Sequence, residues 1–141
     1  MRLAIALLLA TPAHAWEFTA TPVCTLTHAT EEAQITLTYD PALPEYSIAL
    51  TLTGASWPDA PTFAMQFLGP RALSIGTGQH IVSDDETTLT VKDRGFGNVL
   101  DGLQYNATAL ALSGDRALAI PLDDAADPVA AFRRCPEPGL S

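Results

Sequence analysis

The sequence is poor in cations and histidine, and it has no apolar run long enough to cross a bilayer. Its 141 residues include 7 Lys and Arg against 16 Asp and Glu, which gives a formal net charge of −9. So few cations cannot neutralise a row of phosphates, which excludes nucleic acid as a partner. A composition that is 48% hydrophobic and 16% charged excludes a disordered chain and fits one globular domain.

Signatures of catalysis and of metal binding are also missing. The chain has no GxSxG elbow, no HExxH motif, no phosphate-binding GxxxxGK[ST] loop and no EF-hand. His28 and His80 fall on or beside predicted strands, where a structural role is the commoner one. The acidic run Asp84–Glu86 falls where a hairpin turn is needed, so we interpret it as a solvated turn and not as a cation site. We assign no catalytic residue, no metal ligand and no cofactor.

The first 15 residues have the features of a secretory signal peptide. Arg2 precedes the apolar segment LAIALLLA, and Ala13-His14-Ala15 has the small residues that signal peptidase accepts. We predict cleavage between Ala15 and Trp16 and a periplasmic or secreted location. The alternative is the first buried segment of a cytosolic protein. The remaining chain divides into a β domain over 16–135 and a flexible tail over 136–141.

Export gives the two cysteines a role. In an oxidising compartment a lone pair of cysteines is most simply one disulfide, so we predict a bond between Cys24 and Cys135. The alternative is two buried thiols in a cytosolic protein. The bond would clamp the two ends of the mature domain, since a chain of this length can fold on its own core.

The dominant local pattern has period two. Large apolar residues alternate with threonine or other small residues over 34–39, 47–53, 62–67 and 87–92, which is typical of half-buried strands. The pattern predicts a mainly β fold: a single antiparallel β-sandwich or curved sheet with one short C-terminal helix. We expect about seven to nine strands.

Two further runs are apolar on both faces. A turn at 113–116 joins Tyr105–Leu112 to Ala117–Leu122, and we predict that both are central strands covered on both sides. A second turn at 83–86 joins the strand 79–82 to 87–92. In the proline-rich segment Gly54–Pro61, Trp57 either plugs the end of the core or presents a binding surface, and we favour the plug.

Two segments are expected to be helical. Gly97–Leu103 has apolar residues at helical spacing, with Asn98 as a possible N-cap. The C-terminal helix has Asp127 as the predicted N-cap and Pro128 at the favoured first position. Phe132 would then pack on the sheet.

The candidate binding residues are Arg94, Phe96, Asn98 and Asp101. Two glycines flank Phe96, which permits positive φ and a close backbone approach, and Arg94 is one of few cations in an acidic chain. The functional interpretation is a small loop that binds an anion or a partner. The structural interpretation, which is the commoner, pairs Arg94 with Asp93, Asp101 or a carbonyl at a tight turn. The sequon Asn106-Ala107-Thr108 matters only in a eukaryotic secretory pathway.

Three segments together resemble a small family of exported bacterial proteins of about this size. They are WEFTATPVCTLTH at 16–28, DRGFGNVLDGL at 93–103 and AFRRC at 131–135, so the resemblance covers essentially the mature chain. Some members carry the label of the ATPase component of a DNA-repair excinuclease. That label does not fit this chain, which has no Walker lysine motif and no CxxC pair. The resemblance implies export and an end-to-end disulfide and assigns no site.

These observations favour an exported, non-enzymatic binding or envelope accessory protein, active as a monomer. Its partner would be a protein or a small ligand, and the acidic surface favours cationic partners.

Two alternatives remain open. A small periplasmic hydrolase would bring His28 or His80 into one pocket with Asp93, Asp101 or Arg94. An inhibitor, or one component of a larger envelope assembly, would expose an apolar patch around Trp57 and Phe96.

Overall fold

A computed structural model describes residues 15–135, so the predicted signal peptide through His14 and the predicted tail at 136–141 lie outside the described residues. Within this range the chain forms ten strands and two helices. Their bounds are β1 Glu17–Thr19, β2 Cys24–Ala29, β3 Ala33–Asp40, β4 Glu45–Leu52, β5 Phe63–Leu68, β6 Leu73–Thr77, β7 Ile81–Val82, β8 Thr88–Asp93, α1 Gly97–Tyr105, β9 Thr108–Ser113, β10 Arg116–Pro121 and α2 Ala126–Arg134.

The strands form two antiparallel sheets. The large sheet has the order β1-β2-β3-β4-β8-β7, and the small sheet has the order β10-β9-β5-β6. The mainly β prediction, the sandwich architecture and the C-terminal helix are confirmed. The helix α1 connects β8 of the large sheet to β9 of the small sheet.

Alternation along the strands builds the core. On the large sheet the buried side chains include Leu26, Leu37 and Leu89, and on the small sheet Phe67 and Ile120, all 0–2% exposed. Every second residue faces outward, as the pleat of a strand requires. Because two apolar faces meet, the core is a continuous layer between the sheets, closed at one end by α1 and α2.

Of the two strands predicted to be central, only β9 has neighbours on both sides. β9 lies between β10 and β5, but β10 is the edge strand of the small sheet. Tyr105 belongs to α1, so the strand begins at Thr108. The outward residues Ala117 and Ala119 of β10 are exposed. Short apolar runs do not reveal which strand is at an edge, because alanine is tolerated in both places.

Neither predicted helix cap forms. The N-cap position of α1 is Phe96 and that of α2 is Ala125, and no side chain caps either helix. Asn98 lies inside the first turn of α1. Asp127 also lies inside a first turn, where its charge suits the helix dipole.

The disulfide joins β2 to the residue that follows α2. Cys24 and Cys135 are bonded, with their Cα atoms 6.2 Å apart. Phe132 of α2 is fully buried and meets the ring of Phe18 edge-on at 6.5 Å. The bond therefore anchors the helix over β1 and β2, as predicted. Among residues 15–135, neither helix has the length and hydropathy that a bilayer crossing requires.

We predict that the double variant Cys24→Ala, Cys135→Ala folds but is less stable. Removing a bridge across 111 positions should lower the free energy of unfolding by about 2–4 kcal/mol, because the denatured chain gains freedom. Urea unfolding followed by tryptophan fluorescence measures this difference. A variant as stable as the oxidised protein would show that the packing of Phe132 alone holds α2 in place.

Candidate functional site

The structure has a cleft at one edge of the sandwich, here called the edge cleft, with a volume of about 780 Å³. It lies between β4 and β8 of the large sheet and β5 and β6 of the small sheet. It opens where β7 stops: β7 pairs only with Leu89 and Thr90, whereas β8 continues to Asp93. The segment 78–80 crosses from β6 to β7 above the opening, and the start of α1 lies at its other side.

The inner walls of the edge cleft are apolar, and its rim is polar. The polar residues that line it are Thr77, Gln79, Lys92, Asp93 and Asn98. The walls come from side chains of both sheets and of the segment before α1, namely Ile48, Phe63, Met65, Ile75, Val91, Phe96 and Val99. Ile75 and Val91 are half-buried and accessible from the mouth, whereas the other five wall residues are buried. The arrangement suits a molecule with an apolar body and a polar end.

Asp93 is the acidic residue at the rim. Leu89 points into the core, so alternation places Val91 and Asp93 on the inner face of β8 and Lys92 on the outer face. The Asp93 Oδ1 atom accepts a hydrogen bond from the Arg94 backbone N–H at 2.7 Å. This bond holds the carboxylate at the mouth of the cleft.

Phe96 forms part of the wall, and the ring of Tyr46 packs against it. Its ring is 4% exposed and stacks on Tyr46, with centroids 5.3 Å apart and planes 18° apart. Tyr46 in turn contacts Tyr39 at 4.4 Å. Burial raises the pKa of Tyr46, Tyr39 raises it further, and Arg133 lowers it. The neutral phenol therefore persists at neutral pH, and the wall behind Phe96 stays uncharged.

The four predicted binding residues do not form one site. Phe96 and Asn98 line the edge cleft, whereas Arg94 and Asp101 do not. The Arg133 side chain donates to Asp101 at 2.7 Å, which ties α1 to α2. Within residues 15–135 the exposed Arg94 guanidinium forms no ion pair, so its predicted pairing with Asp93 or Asp101 is wrong.

The two glycines beside Phe96 do not have the predicted role. Neither Gly95 nor Gly97 adopts positive φ, and a Cβ atom at either position would meet nothing within 4 Å. Both line the mouth of the edge cleft. Their effect is to leave the entrance wide.

Most of the wall residues were not identifiable from the sequence. Ile48, Phe63, Met65 and Ile75 have the same pattern as any inward strand residue. The available signal was the short strand predicted at 79–82 beside a longer one, because a short edge strand leaves part of its neighbour uncovered.

The histidines and Trp57 lie elsewhere. His28 stacks on Trp16 with ring centroids 4.5 Å apart, and Nε2 of His80 lies 3.0 Å from the Ala60 carbonyl oxygen. Neither lines the edge cleft, so the hydrolase alternative has no histidine base there. The Trp57 ring is 1% exposed and its N–H donates to the Leu50 carbonyl at 3.0 Å. Both Trp57 and Phe96 are buried, so Trp57 is the predicted plug and these two rings do not form the exposed patch that the inhibitor alternative requires.

The acidic run forms a turn. Asp85 Oδ1 accepts hydrogen bonds from the Ser83 hydroxyl at 2.6 Å, the Thr87 hydroxyl at 2.9 Å and the Thr87 N–H at 3.1 Å. Glu86 has φ 66°, and its backbone carbonyl accepts a hydrogen bond from the Trp57 backbone N–H at 2.7 Å. Across residues 15–135, His, Cys, Asp and Glu form no group of three that could hold a metal ion.

The sequon asparagine is part of the framework. The Asn106 amide donates to the carbonyls of Arg71 and Gly102 and accepts from the Arg71 N–H, at 2.9–3.0 Å. These bonds tie the end of α1 to the segment between β5 and β6. A sugar on this nitrogen would remove one of its two N–H donors, so one of these two donated bonds would be lost.

Comparison with known proteins adds no assignment: no protein-family description, curated protein or solved structure matches this chain.

The Asp85 turn predicts a pH dependence. The Ser83 hydroxyl first, and then the Thr87 donors, lower the pKa of Asp85 below its ordinary value. The ionised Asp85 carboxylate therefore stabilises the fold at any pH above the pKa that Asp85 has in the unfolded chain. This stabilisation is lost as the pH falls through the lower pKa that Asp85 has in the folded protein. Asp85→Ala should be less stable than the native protein at pH 7, and the difference should shrink in strong acid. Urea unfolding at several pH values, with Asp84→Ala as the matched control, measures it; an equal loss in both variants would contradict the assignment.

Proposed function

We propose that this protein is an exported binding protein that holds a small amphipathic molecule in the edge cleft. One observation carries the proposal: the sandwich is open at one edge, and the opening has apolar walls and a polar rim. Ligand pockets of about 300–1,000 Å³ are usual for small organic molecules, and the edge cleft falls within this range.

The apolar part of the ligand would lie between the sheets. The half-buried side chains of Ile75 and Val91 come from the two different sheets, so a guest between them would remove apolar surface from water on both sides. Each Å² removed contributes about 25 cal/mol, which favours a chain or ring over a fully polar solute. The paired strands on both sides preorganise these walls.

The polar end of the ligand would carry a positive charge or donate hydrogen bonds. Asp93 places a carboxylate on the cleft side of β8, and the Asn98 side chain lies at the same rim. Lys92 also lines the cleft. Alternation along β8 turns its side chain toward the outer face, so Asp93 is the charged group on the inner face of this strand. The net charge of −9 further favours a cationic guest.

Export is supported by the disulfide and by the sequence that precedes it. A structural disulfide persists in oxidising compartments. The features of a signal peptide end immediately before Trp16, whose buried ring donates from Nε1 to the Pro121 carbonyl at 3.3 Å. Cleavage after Ala15 would leave this first core residue in place.

We predict that the protein isolated from its native host begins at Trp16 and has Cys24 and Cys135 oxidised to a disulfide. Intact-mass spectrometry before and after alkylation under denaturing conditions measures both properties. Retention of Met1, or alkylation of Cys24 and Cys135 without prior reduction, would contradict export. Recombinant protein refolded in the presence and absence of reductant supplies the two reference masses.

We predict that the neutral fluorescent probe N-phenyl-1-naphthylamine binds in the edge cleft with micromolar affinity. Val91→Trp, which fills the cleft from the inner face of β8, should weaken binding at least about tenfold, equivalent to about 1.4 kcal/mol. Thr90→Trp is the matched control, because it places the same ring on the outer face of the same strand. Fluorescence titration measures the affinity, and circular dichroism checks the fold.

The polarity of the ligand is tested by displacement of the same probe. Octylamine should displace it at lower concentration than octanoate, and Asp93→Asn should reduce the difference. Failure of all three compounds to bind, or equal weakening by Val91→Trp and Thr90→Trp, would refute the proposed site. Stronger displacement by octanoate would refute the assignment of Asp93 to the polar end.

A further inference from the structure

One row of inward side chains in the large sheet runs from the disulfide to the rim of the edge cleft. Tyr39 of β3 pairs with Cys24 on one side and with Tyr46 on the other. Tyr46 pairs in turn with Asp93 of β8. Three strand spacings of about 4.8 Å therefore separate the disulfide from the rim, or about 14 Å in all.

The helix α2 packs over the middle of this row. The ring centroid of its Phe132 lies 6.1 Å from that of Tyr46, with the planes tilted by 55°. Tyr46 also stacks on Phe96 in the wall of the edge cleft, with centroids 5.3 Å apart. The Tyr46 ring therefore contacts α2 through one neighbour and the cleft wall through another.

An ion pair makes a second link between α2 and the cleft. The Arg133 Nη2 atom donates to Asp101 Oδ1 at 2.7 Å. Asp101 belongs to α1, and the first residues of this helix, 97–99, line the cleft. Both charged side chains are partly exposed, so the pair adds little energy by itself. Its effect is to hold the beginning of α1 in register with α2.

The disulfide ties down the turn of α2 from which both links arise. Phe132 and Arg133 belong to the last turn of α2, and Cys135 follows that turn directly. The last residues of a domain are poorly ordered unless something anchors them. The bond to Cys24 in β2 supplies this anchor. The order of the cleft wall therefore depends in part on the oxidation state of two cysteines outside the cleft.

We propose that the Cys24–Cys135 disulfide regulates ligand binding in the edge cleft, so that the oxidised protein binds the ligand tightly and the reduced protein binds it weakly. The inference rests on the proposed function, because it concerns the same cleft. In the reduced protein the last turn of α2 opens more often, and Tyr46 and Asp101 then lose their partners on that turn. A guest has to order the wall as it binds, which lowers its affinity.

The chemistry of the regulation is thiol–disulfide exchange. The two cysteine thiols give up two protons and two electrons and form one disulfide, while the disulfide of an oxidant accepts them and becomes two thiols. The cytoplasm keeps thiols reduced, whereas exported proteins meet such oxidants. With the proposed export, the chain gains its full affinity for the ligand only after it has left the cytoplasm.

Titration with N-phenyl-1-naphthylamine tests the proposal. Three forms are compared: the oxidised protein, the same protein after reduction by dithiothreitol, and the double variant Cys24→Ala, Cys135→Ala. The dissociation constant should rise at least about fivefold in the second and third forms, the lower end of the usual coupling between two sites. Alkylation confirms the redox state, and circular dichroism confirms the fold.

Ile35→Ala is the matched control for a loss of stability alone. Ile35 is fully buried in β3, four residues before Tyr39, and it does not line the edge cleft. Its truncation weakens the core without releasing α2, so the variant should bind the probe like the native protein. Unchanged or tighter binding after reduction, or equal weakening by Ile35→Ala and by the double cysteine variant, would overturn the proposal.

The ion-pair link has its own test within the oxidised protein. Arg133→Gln removes the partner of Asp101 while the disulfide stays intact, so it should weaken probe binding. Arg134→Gln is the control, because it removes the same charge from an exposed position on the same turn. Equal affinities of these two variants would overturn the link through Asp101.

Hydrogen exchange measures the coupling without a ligand. The Leu100 N–H donates to the Phe96 carbonyl oxygen at 2.8 Å and closes the first turn of α1. Reduction should speed exchange at Leu100 more than Ile35→Ala does, and an equal change would contradict the coupling. If the oxidised protein binds the probe and reduction changes neither affinity nor exchange, the proposed function stands and the regulation is refuted. If the oxidised protein binds no probe, the proposed function fails and the regulation fails with it.

Discussion

The constraint on which the rest depends is the burial of two inward faces of unequal size. Six strands of the large sheet face four strands of the small sheet, so the small sheet cannot cover its partner completely. On the side of β1 and β2, α2 covers the excess with Phe132, and the disulfide holds it there. On the side of β8, the short β7 and the beginning of α1 leave the layer incomplete. The edge cleft is therefore a consequence of how the two sheets match.

This geometry explains why the fold was predictable and the site was not. Alternation over 34–39, 47–53, 62–67 and 87–92 predicted strands close to their observed bounds, because each of these segments is long and buried on one face. β1 and β6 were missed, since one has three residues and the other contains Gly76. The disulfide followed from the number of cysteines and the predicted compartment. Strand alternation is a local pattern and the number of cysteines is a simple count, so a single sequence is enough to predict both.

The candidate site depends on which strands become neighbours, and a single sequence does not contain that information. Phe96 was selected for its flanking glycines, yet what places it in a wall is the stack on Tyr46, which is distant in sequence. Arg94 was selected because cations are rare, yet the ion pair with Asp101 is made by Arg133 from α2. The helix caps failed for a related reason. The packing of Phe96 and Ala125 sets where each helix begins, and it overrides the preference of Asn98 and Asp127.

β5 and β6 turn alternate side chains toward the edge cleft and toward the outer side of the small sheet. Phe63 and Met65 face the edge cleft, whereas the alternate residues Ala64 and Gln66 belong to the outer face of the small sheet. A strand in the middle of a paired sheet cannot rotate one face toward the other, because a slip of one residue would expose its core side chains. The apolar content of these strands therefore has two separate physical meanings. On one side it lines a space between sheets, and on the other it is surface that an acidic chain keeps free of charge.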